Sequence, residues 1–270
     1  MRVLFTGQRG FLGRELIPIL NPDFEIITYD GDLDNLLELS HFVKDRGIGC
    51  VLHAAARGGR RTKIDTESVL INNIKIANNI LRLELPSIFF CSGAIYDRSK
   101  PVSEAIELSS LESFPKDFYG QSKYVATLLS SQAEYVNTLR FFNVFGTSEG
   151  LDRFISFNVN QYIKREPMEV YSDFQMDFFF VKDAVFPIRD WLDGKKIPKE
   201  MNLVYKEKYS LTEVCKEINR LSNYEVPIVY KTNDKGPDYT GSGVLLENYR
   251  YPLMGLKHGV EEVYSHFMSI

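Results

Sequence analysis

Two tyrosine–lysine pairs in this chain sit four residues apart, Tyr119 with Lys123 and Tyr96 with Lys100. On a helix that spacing brings a phenol and an ammonium to one face. A free phenol titrates at about 10 and is a poor proton donor or acceptor at neutral pH. A neighbouring positive charge lowers that value and makes the phenol usable for acid–base work. Pro115 and Asp117 are suited to starting a helix just before Tyr119. Tyr96–Lys100 instead runs through a polar loop into Pro101. The first pair is therefore the chemical candidate. The second is a coincidence of the kind that 15 tyrosines make expected. The bland alternative for Tyr119 and Lys123 is an exposed pair on a helix surface.

Near the N-terminus, Gly7-Gln8-Arg9-Gly10-Phe11-Leu12-Gly13 spaces its glycines as G-x-x-G-x-x-G. It follows the apolar run Arg2–Thr6 and opens a segment of helical spacing, Phe11–Leu20. In such a loop Gly7 permits the tight turn and Gly10 lets backbone approach a pyrophosphate. Gly13 lets helix and strand pack closely, and the helix N-terminus attracts phosphate charge. This is the pattern of a dinucleotide site, with an ordinary glycine-rich turn as the alternative. Asp30 closes the second strand, where a carboxylate can bind the adenosine ribose hydroxyls and repel a 2′-phosphate. It could also simply cap a turn. Arg9 argues the other way, since an arginine in this loop can pair a 2′-phosphate. NAD(H) is the preferred cofactor and NADP(H) the second choice. A bound nicotinamide, when positively charged, would lower the phenol further, and Lys123 can hold its ribose.

Those residues need a scaffold, and the rest of the chain supplies one. The 270 residues suffice for a large α/β domain or a domain with a small lobe. With 32 Lys+Arg against 36 Asp+Glu the net charge is -4, which disfavours a nucleic-acid partner. Cys50, Cys91 and Cys215 show no C-x-x-C spacing, and four histidines are scattered. No metal site is expected, and a reducing compartment is. No secretory leader and no membrane-spanning stretch is read, so the expectation is a soluble, cytoplasmic protein.

Strands are predicted at Arg2–Thr6, Glu25–Tyr29, Cys50–His53, Ser87–Cys91 and Asn137–Phe142. Helices are predicted at Phe11–Leu20, Asn35–Arg46, Glu67–Glu84 and Asp117–Tyr135. This alternation implies right-handed crossovers and a parallel sheet. After about residue 146 connections lengthen. Shorter strands are predicted at Met168–Tyr171, Phe178–Val181, Asn202–Tyr205 and Pro227–Tyr230, with helices at Asp183–Leu192, Leu211–Leu221 and Gly259–Met268. The expected fold is α/β: a Rossmann-type doubly wound parallel sheet over 1–146, with later returning segments. A smaller C-terminal α/β substrate lobe is expected mainly over 147–270.

Further motifs join the glycine loop and the Tyr119/Lys123 pair. They are Asp32-Leu33, His53-Ala54-Ala55-Ala56, Asn72-Asn73-Ile74, Ser92-Gly93-Ala94-Ile95-Tyr96, Leu139 through Gly146, and Met176-Asp177-Phe178 through Asp183. Together they resemble the extended short-chain dehydrogenase/reductases, the NAD-dependent epimerase/dehydratase group that modifies nucleotide sugars. The resemblance covers most of the chain. It implies that Ser92 hydrogen-bonds the reacting sugar oxygen, that Tyr119 donates or accepts the proton, and that Lys123 assists it. It places Asp32 and Leu33 at the adenine, Ala54, Ala55 and Ala56 along the cofactor path, and Asn73 among the cofactor contacts. Asn143 falls near the substrate diphosphate. Ser92 could alternatively satisfy backbone at a strand end.

Within that group the chain is most similar to the 4-keto reductase branches. The resemblance implies a nucleotide-diphosphate-sugar substrate and reduction of a 4-keto sugar by NAD(P)H. An NAD-dependent nucleotide-sugar epimerase is one alternative, and a non-catalytic dinucleotide-binding or regulatory relative is another. Three departures bear on the choice. Ala94 and Arg153 stand where the GDP-fucose synthase branch has the cysteine and histidine of its epimerisation, and Met176 replaces the family arginine before Asp177. Arg57, Arg60, Arg61 and Lys63 follow a strand end, where ligands bind in open α/β sheets. We expect Arg60 and Arg61 to supply phosphate contacts in place of that arginine, with a solvated basic loop as the equal alternative. The run Phe178-Phe179-Phe180 reads as a buried strand rather than a stacking platform. The helices Glu67–Glu84 and Phe118–Val136 offer a homodimer interface, although packing on the sheet explains the same pattern equally well.

Overall fold

A computed structural model of the chain describes residues 1–59, 64–105 and 114–270. In chain order the elements begin β1 (Arg2–Thr6), α1 (Phe11–Leu20), β2 (Glu25–Thr28), α2 (Leu36–Asp45), β3 (Ile48–His53), α3 (Glu67–Leu81) and β4 (Ser87–Ser92). There follow β5 (Val102–Ala105), α4 (Phe118–Ser131), β6 (Val136–Phe141), β7 (Val144–Phe145), α5 (Phe154–Ile163), β8 (Met168–Val170) and β9 (Phe179–Phe180). The chain ends with α6 (Val185–Leu192), β10 (Glu200–Leu203), α7 (Leu211–Asn219), β11 (Ile228–Tyr230), β12 (Tyr239–Gly241), α8 (Val244–Asn248) and α9 (Gly255–Ser269). They fall into two compact units. The first takes the described parts of Met1–Asp97, Glu107–Phe141 and Val185–Met201; the second takes those of Arg98–Ile106, Phe142–Ala184 and Asn202–Ile270.

The first unit is built on a six-stranded sheet in the order β10-β6-β4-β3-β1-β2. Strands β2, β1, β3, β4 and β6 pair in parallel throughout. Their central residues are buried on both faces, as parallel strands require: Val3, Leu4 and Phe5 of β1, Val51 and Leu52 of β3, Ile88 of β4 and Leu139 of β6. The chain leaves β1 toward β2, then crosses back to β3 on the other side. Right-handed crossovers in opposite directions place α1 on one face and α2, α3 and α4 on the other. Leu39 and Val43 of α2 and Ala77 and Ile80 of α3 pack there against Leu4, Val51 and Phe89. The reversal creates a switch point between the carboxyl ends of β1 and β3, where open α/β sheets bind ligands.

Glu200 on β10 forms a buried ion pair of 2.6 Å with Arg140, whose side chain is fully buried on β6. The strand predicted at Asn202–Tyr205 thus lies at Glu200–Leu203, where it is the outermost strand of the main sheet.

In the second unit three short parallel pairs form, β8 with β11, β5 with β12 and β7 with β9. Helices α5, α7 and α9 pack on one another. Asp183 is fully buried and accepts the backbone N–H groups of Met254 (2.9 Å) and Gly255 (3.0 Å) at the start of α9. The same carboxylate accepts the Tyr205 hydroxyl. That cap explains why α9 begins at Gly255, four residues ahead of the sequence prediction. Phe178, Phe179 and Phe180 are all buried, as expected of core. No described helix is long and apolar enough to cross a membrane.

Candidate active site

The glycine loop turns sharply after β1. Gly7 adopts φ +82°, and a Cβ there would lie 2.8 Å from Ala55 N, so the loop and the strand-end after β3 touch backbone to backbone. A Cβ at Gly13 would lie 2.5 Å from Gln8 Cα, which closes the helix onto its own loop. Gly10 caps α1 without a side-chain bond, and its first turn carries no acidic residue. An anion at this helix end is therefore met by backbone N–H groups and the positive end of the helix.

In front of the loop lies a cleft of about 430 Å³, within the range of cofactor sites. Gly7, Arg9, Gly10, Asp30, Asp32, Leu33, Ala54, Ala55 and Ala56 all line it, with Gln8, Tyr29 and Arg57. Most of the expected cofactor residues therefore share one cavity. Gly7 and Gly10 line it with backbone at the start of α1, an arrangement that fits a dinucleotide pyrophosphate. Asp32 Oδ1 accepts the Asp34 N–H at 3.0 Å and so also shapes the turn after β2. Phe11 and Leu12 form the first turn of α1.

Below the cleft, Thr6 and His53 bond across β1 and β3 through Oγ1 and Nδ1 at 2.8 Å. Thr6 Oγ1 also accepts the Ala55 N–H at 3.3 Å. Burial, helped by the Lys123 charge, pushes His53 down to about 3, so it is neutral and serves as fixed scaffold.

Helix α4 starts at Asp117, whose side chain accepts the Gly120 N–H at 2.8 Å. Gly120 sits so close to the turn after β4 that a Cβ would lie 2.4 Å from Ala94 O. This packing brings the helix bearing Tyr119 onto the Gly93–Ile95 turn that Ser92 caps. Ser92 Oγ accepts the Ala94 N–H at 3.1 Å, the strand-end role weighed for it, and its hydroxyl proton can still be donated. Lys123 Nζ donates to Phe90 O at 3.0 Å and stands 5.9 Å from the Tyr119 ring centroid. Phenol and ammonium do share one helix face. Tyr96, in contrast, is buried with extended backbone, and no helix carries it to Lys100.

Asn73 is buried on α3. Its Oδ1 accepts Arg57 N (2.8 Å), while its Nδ2 donates to Arg57 O (2.9 Å) and to Ser122 Oγ (3.0 Å). Both amide protons are used inside the protein, and Asn73 ties the Arg57 backbone to Ser122 of α4. In the second unit Asn143 Nδ2 donates to Asp177 O at 3.2 Å. Buried Asp177 in turn holds Lys208 Nζ at 2.8 Å and the Gly241 N–H at 2.7 Å. Met176 is buried and presents no charge. Arg60, Arg61 and Lys63 lie outside the described residues. Sequence reasoning missed Gln8, Asn73 as a clamp, Gly58, Gly59 and Asp65. The paired glycines were the one visible signal.

The fold and this cleft define a Rossmann-type α/β protein with a dinucleotide-shaped cradle at its switch point. The chain belongs to the NAD dependent epimerase/dehydratase family, whose model matches residues 3–203. Among solved structures it is similar to the dTDP-glucose 4,6-dehydratase of Bacillus anthracis in complex with NAD, at 15% identity and TM-score 0.82, covering 100% of this chain and 97% of that one. It is similar to the UDP-glucuronic acid 4-epimerase of Bacillus cereus in complex with UDP-glucuronic acid and NAD, at 20% identity and TM-score 0.80, covering 100% and 99%. It is also similar to the GDP-mannoheptose C4 reductase of Campylobacter jejuni with NADP bound, at 15% identity and TM-score 0.81, covering 99% and 98%. At these identities the likeness establishes the fold.

Proposed function

We propose that the protein is an NAD(P)-dependent oxidoreductase acting on a nucleoside-diphosphate sugar, and that it reduces a 4-keto group. The observation that carries this reading is the Tyr119–Lys123 face, packed beside the Ser92 turn in the same unit as the glycine cradle. The nicotinamide, when bound, supplies the hydride that adds to the keto carbon. Tyr119 gives its proton to the sugar oxygen as the C–O double bond becomes a C–O single bond. Ser92 donates a hydrogen bond to that oxygen and orients it. Lys123, tied to Phe90 O, stands on the same helix face as the phenol and assists it. Asn143, Arg60 and Arg61 are assigned to the substrate diphosphate. The substrate lobe is taken as mainly 147–270, and a homodimer through α3 and α4 would cover the exposed Ile71 and Leu128.

Ala94 and Arg153 replace the groups with which the GDP-fucose synthase branch epimerises C3 and C5, which favours reduction without that epimerisation; an NAD-dependent 4-epimerase is the second reading. The test is incubation of the purified protein with NADH or NADPH and a panel of nucleoside-diphosphate 4-keto sugars, following absorbance of the reduced cofactor. A reductase consumes cofactor stoichiometrically, whereas an epimerase converts sugar with no net change in it. Tyr119→Phe should lower turnover by about 10²–10⁴-fold. Wild-type turnover in that variant would remove the assignment.

A further inference from the structure

After β3, Gly59 lies against the Tyr119 ring. Gly58 and Gly59 both adopt left-handed backbone, φ +82° and +77°, which strongly favours glycine at each. A Cβ on Gly59 would lie 2.8 Å from Tyr119 Cζ, 2.9 Å from Cε1 and 3.0 Å from Cε2. The contact is therefore with the face of the ring at its hydroxyl-bearing end. The turn closes around one carboxylate. Gly59 N–H donates to Asp65 Oδ2 at 2.9 Å, and a Cβ on Gly58 would meet Asp65 Oδ1 at 2.5 Å. Asn73 grips both backbone groups of Arg57, just ahead of the turn, and bonds Ser122 Oγ at 3.0 Å. Ser122 Oγ in turn donates to Tyr119 O at 2.7 Å. The turn and the first helical turn of α4 thus share one anchor.

We propose that Asp65, acting through the Gly58–Gly59 turn, is a positioning residue for Tyr119, and that the turn is a backbone wall on one face of the phenol. With one face of the ring backed by Gly59, the Tyr119 hydroxyl is held at a set place for its partner. A side chain at residue 59 would push the ring away or displace the wall. A misplacement of about 1 Å costs on the order of a hundredfold in rate. The proposal rests on the reading of Tyr119 as the proton donor.

The experiment labels tyrosine at Cζ with ¹³C and assigns the Tyr119 resonance by its loss in Tyr119→Phe. Wild type, Asp65→Ala, Asp65→Asn and Gly59→Ala are compared across pH. Asp65→Asn keeps an acceptor for Gly59 N–H. Asp65→Ala and Gly59→Ala should move the Tyr119 resonance and its titration midpoint, while Asp65→Asn stays near wild type. With a turned-over keto sugar, kcat should fall about ten- to a hundredfold in Asp65→Ala with the KM for reduced cofactor unchanged. An unchanged Tyr119 resonance and titration in Asp65→Ala overturns the proposal, as does an Asp65→Asn variant equal to Asp65→Ala. Gly59→Ala is read only if its far-ultraviolet circular dichroism matches wild type; the Asp65 pair decides the matter without it. If Tyr119→Phe turns over normally while the resonance still responds to Asp65→Ala, the proton-donor reading fails and the turn's hold on the ring stands.

Discussion

Arg9 and Asp30 form an ion pair of 2.9 Å at the mouth of the cofactor cleft, and Gln8 Nε2 donates to the same Asp30 oxygen at 3.0 Å. The two residues that argue for opposite cofactors therefore meet. Asp30 alone would repel a 2′-phosphate, and Arg9 alone would attract one. Paired, each partly cancels the other. The protein should bind both NADH and NADPH, with Arg9→Ala weakening NADPH by about tenfold or more and leaving NADH nearly unchanged. Asp30→Asn should strengthen NADPH. Titration of each variant by calorimetry checks this, and a wild type that binds NADH alone would refute it. The side chains are 83% and 71% exposed, so melting temperature should hardly move.

The Arg140–Glu200 pair is the opposite case, since it is buried and ties β6 to β10. Removing Glu200 takes away the carboxylate bonded to a fully buried guanidinium. Glu200→Ala should destabilise the protein by about 3–5 kcal/mol. Replacing both by apolar residues, as in the Arg140→Met, Glu200→Leu double variant, should cost much less than the single change. Urea unfolding of the two variants measures the difference. Equal losses would mean that the pair's geometry, not the buried charge, sets the cost.

The alternating half of the chain was legible because buried parallel strands read as short apolar runs and the helices between them carry a 3.6-residue stripe. The glycine loop announced itself through the positive φ at Gly7, which most residues avoid, and the helix start at Asp117 through a side chain suited to capping. The later half was less legible. Helix α5 (Phe154–Ile163) was not anticipated, because polar Ser156 and Asn158 are buried beside Ile155, Val159 and Tyr162 and blur the apolar stripe. Strands of two to four residues such as β5, β7 and β12 carry too few side chains for a period to show. Glu200–Leu203 joins the main sheet through a distant partner strand, which no local pattern encodes. At the site, spacing revealed Tyr119 and Lys123 because a helix turns sequence distance into geometry. Asn73 and Asp65 act through backbone groups of other segments, and that leaves no periodic trace.

Two buried titrating groups should tilt stability with pH in opposite directions. His53 is pushed from 6.5 down to about 3 by burial and then by Lys123. Between those values the unfolded chain takes up a proton that the native state refuses, so stability is full above about 6.5 and is lost as pH falls toward 3. Glu149 is raised from 4.5 to about 7, mainly by burial, despite Arg153 and Ser156 beside it. Its native state keeps a proton that the unfolded chain has released, so its contribution is full below about 4.5 and is lost as pH rises through 7. Each slope is about 1.4 kcal/mol per pH unit. From about 4.5 to 6.5 the two cancel, and wild-type stability from these groups should be nearly flat. Glu149→Gln should leave the His53 slope alone, so that stability climbs with pH across that interval. His53→Asn should leave the Glu149 slope, so that stability declines with pH instead. Urea midpoints at pH 4.5, 5.5 and 6.5 decide it, and a variant whose slope matches wild type shows that the group substituted is not the one titrating.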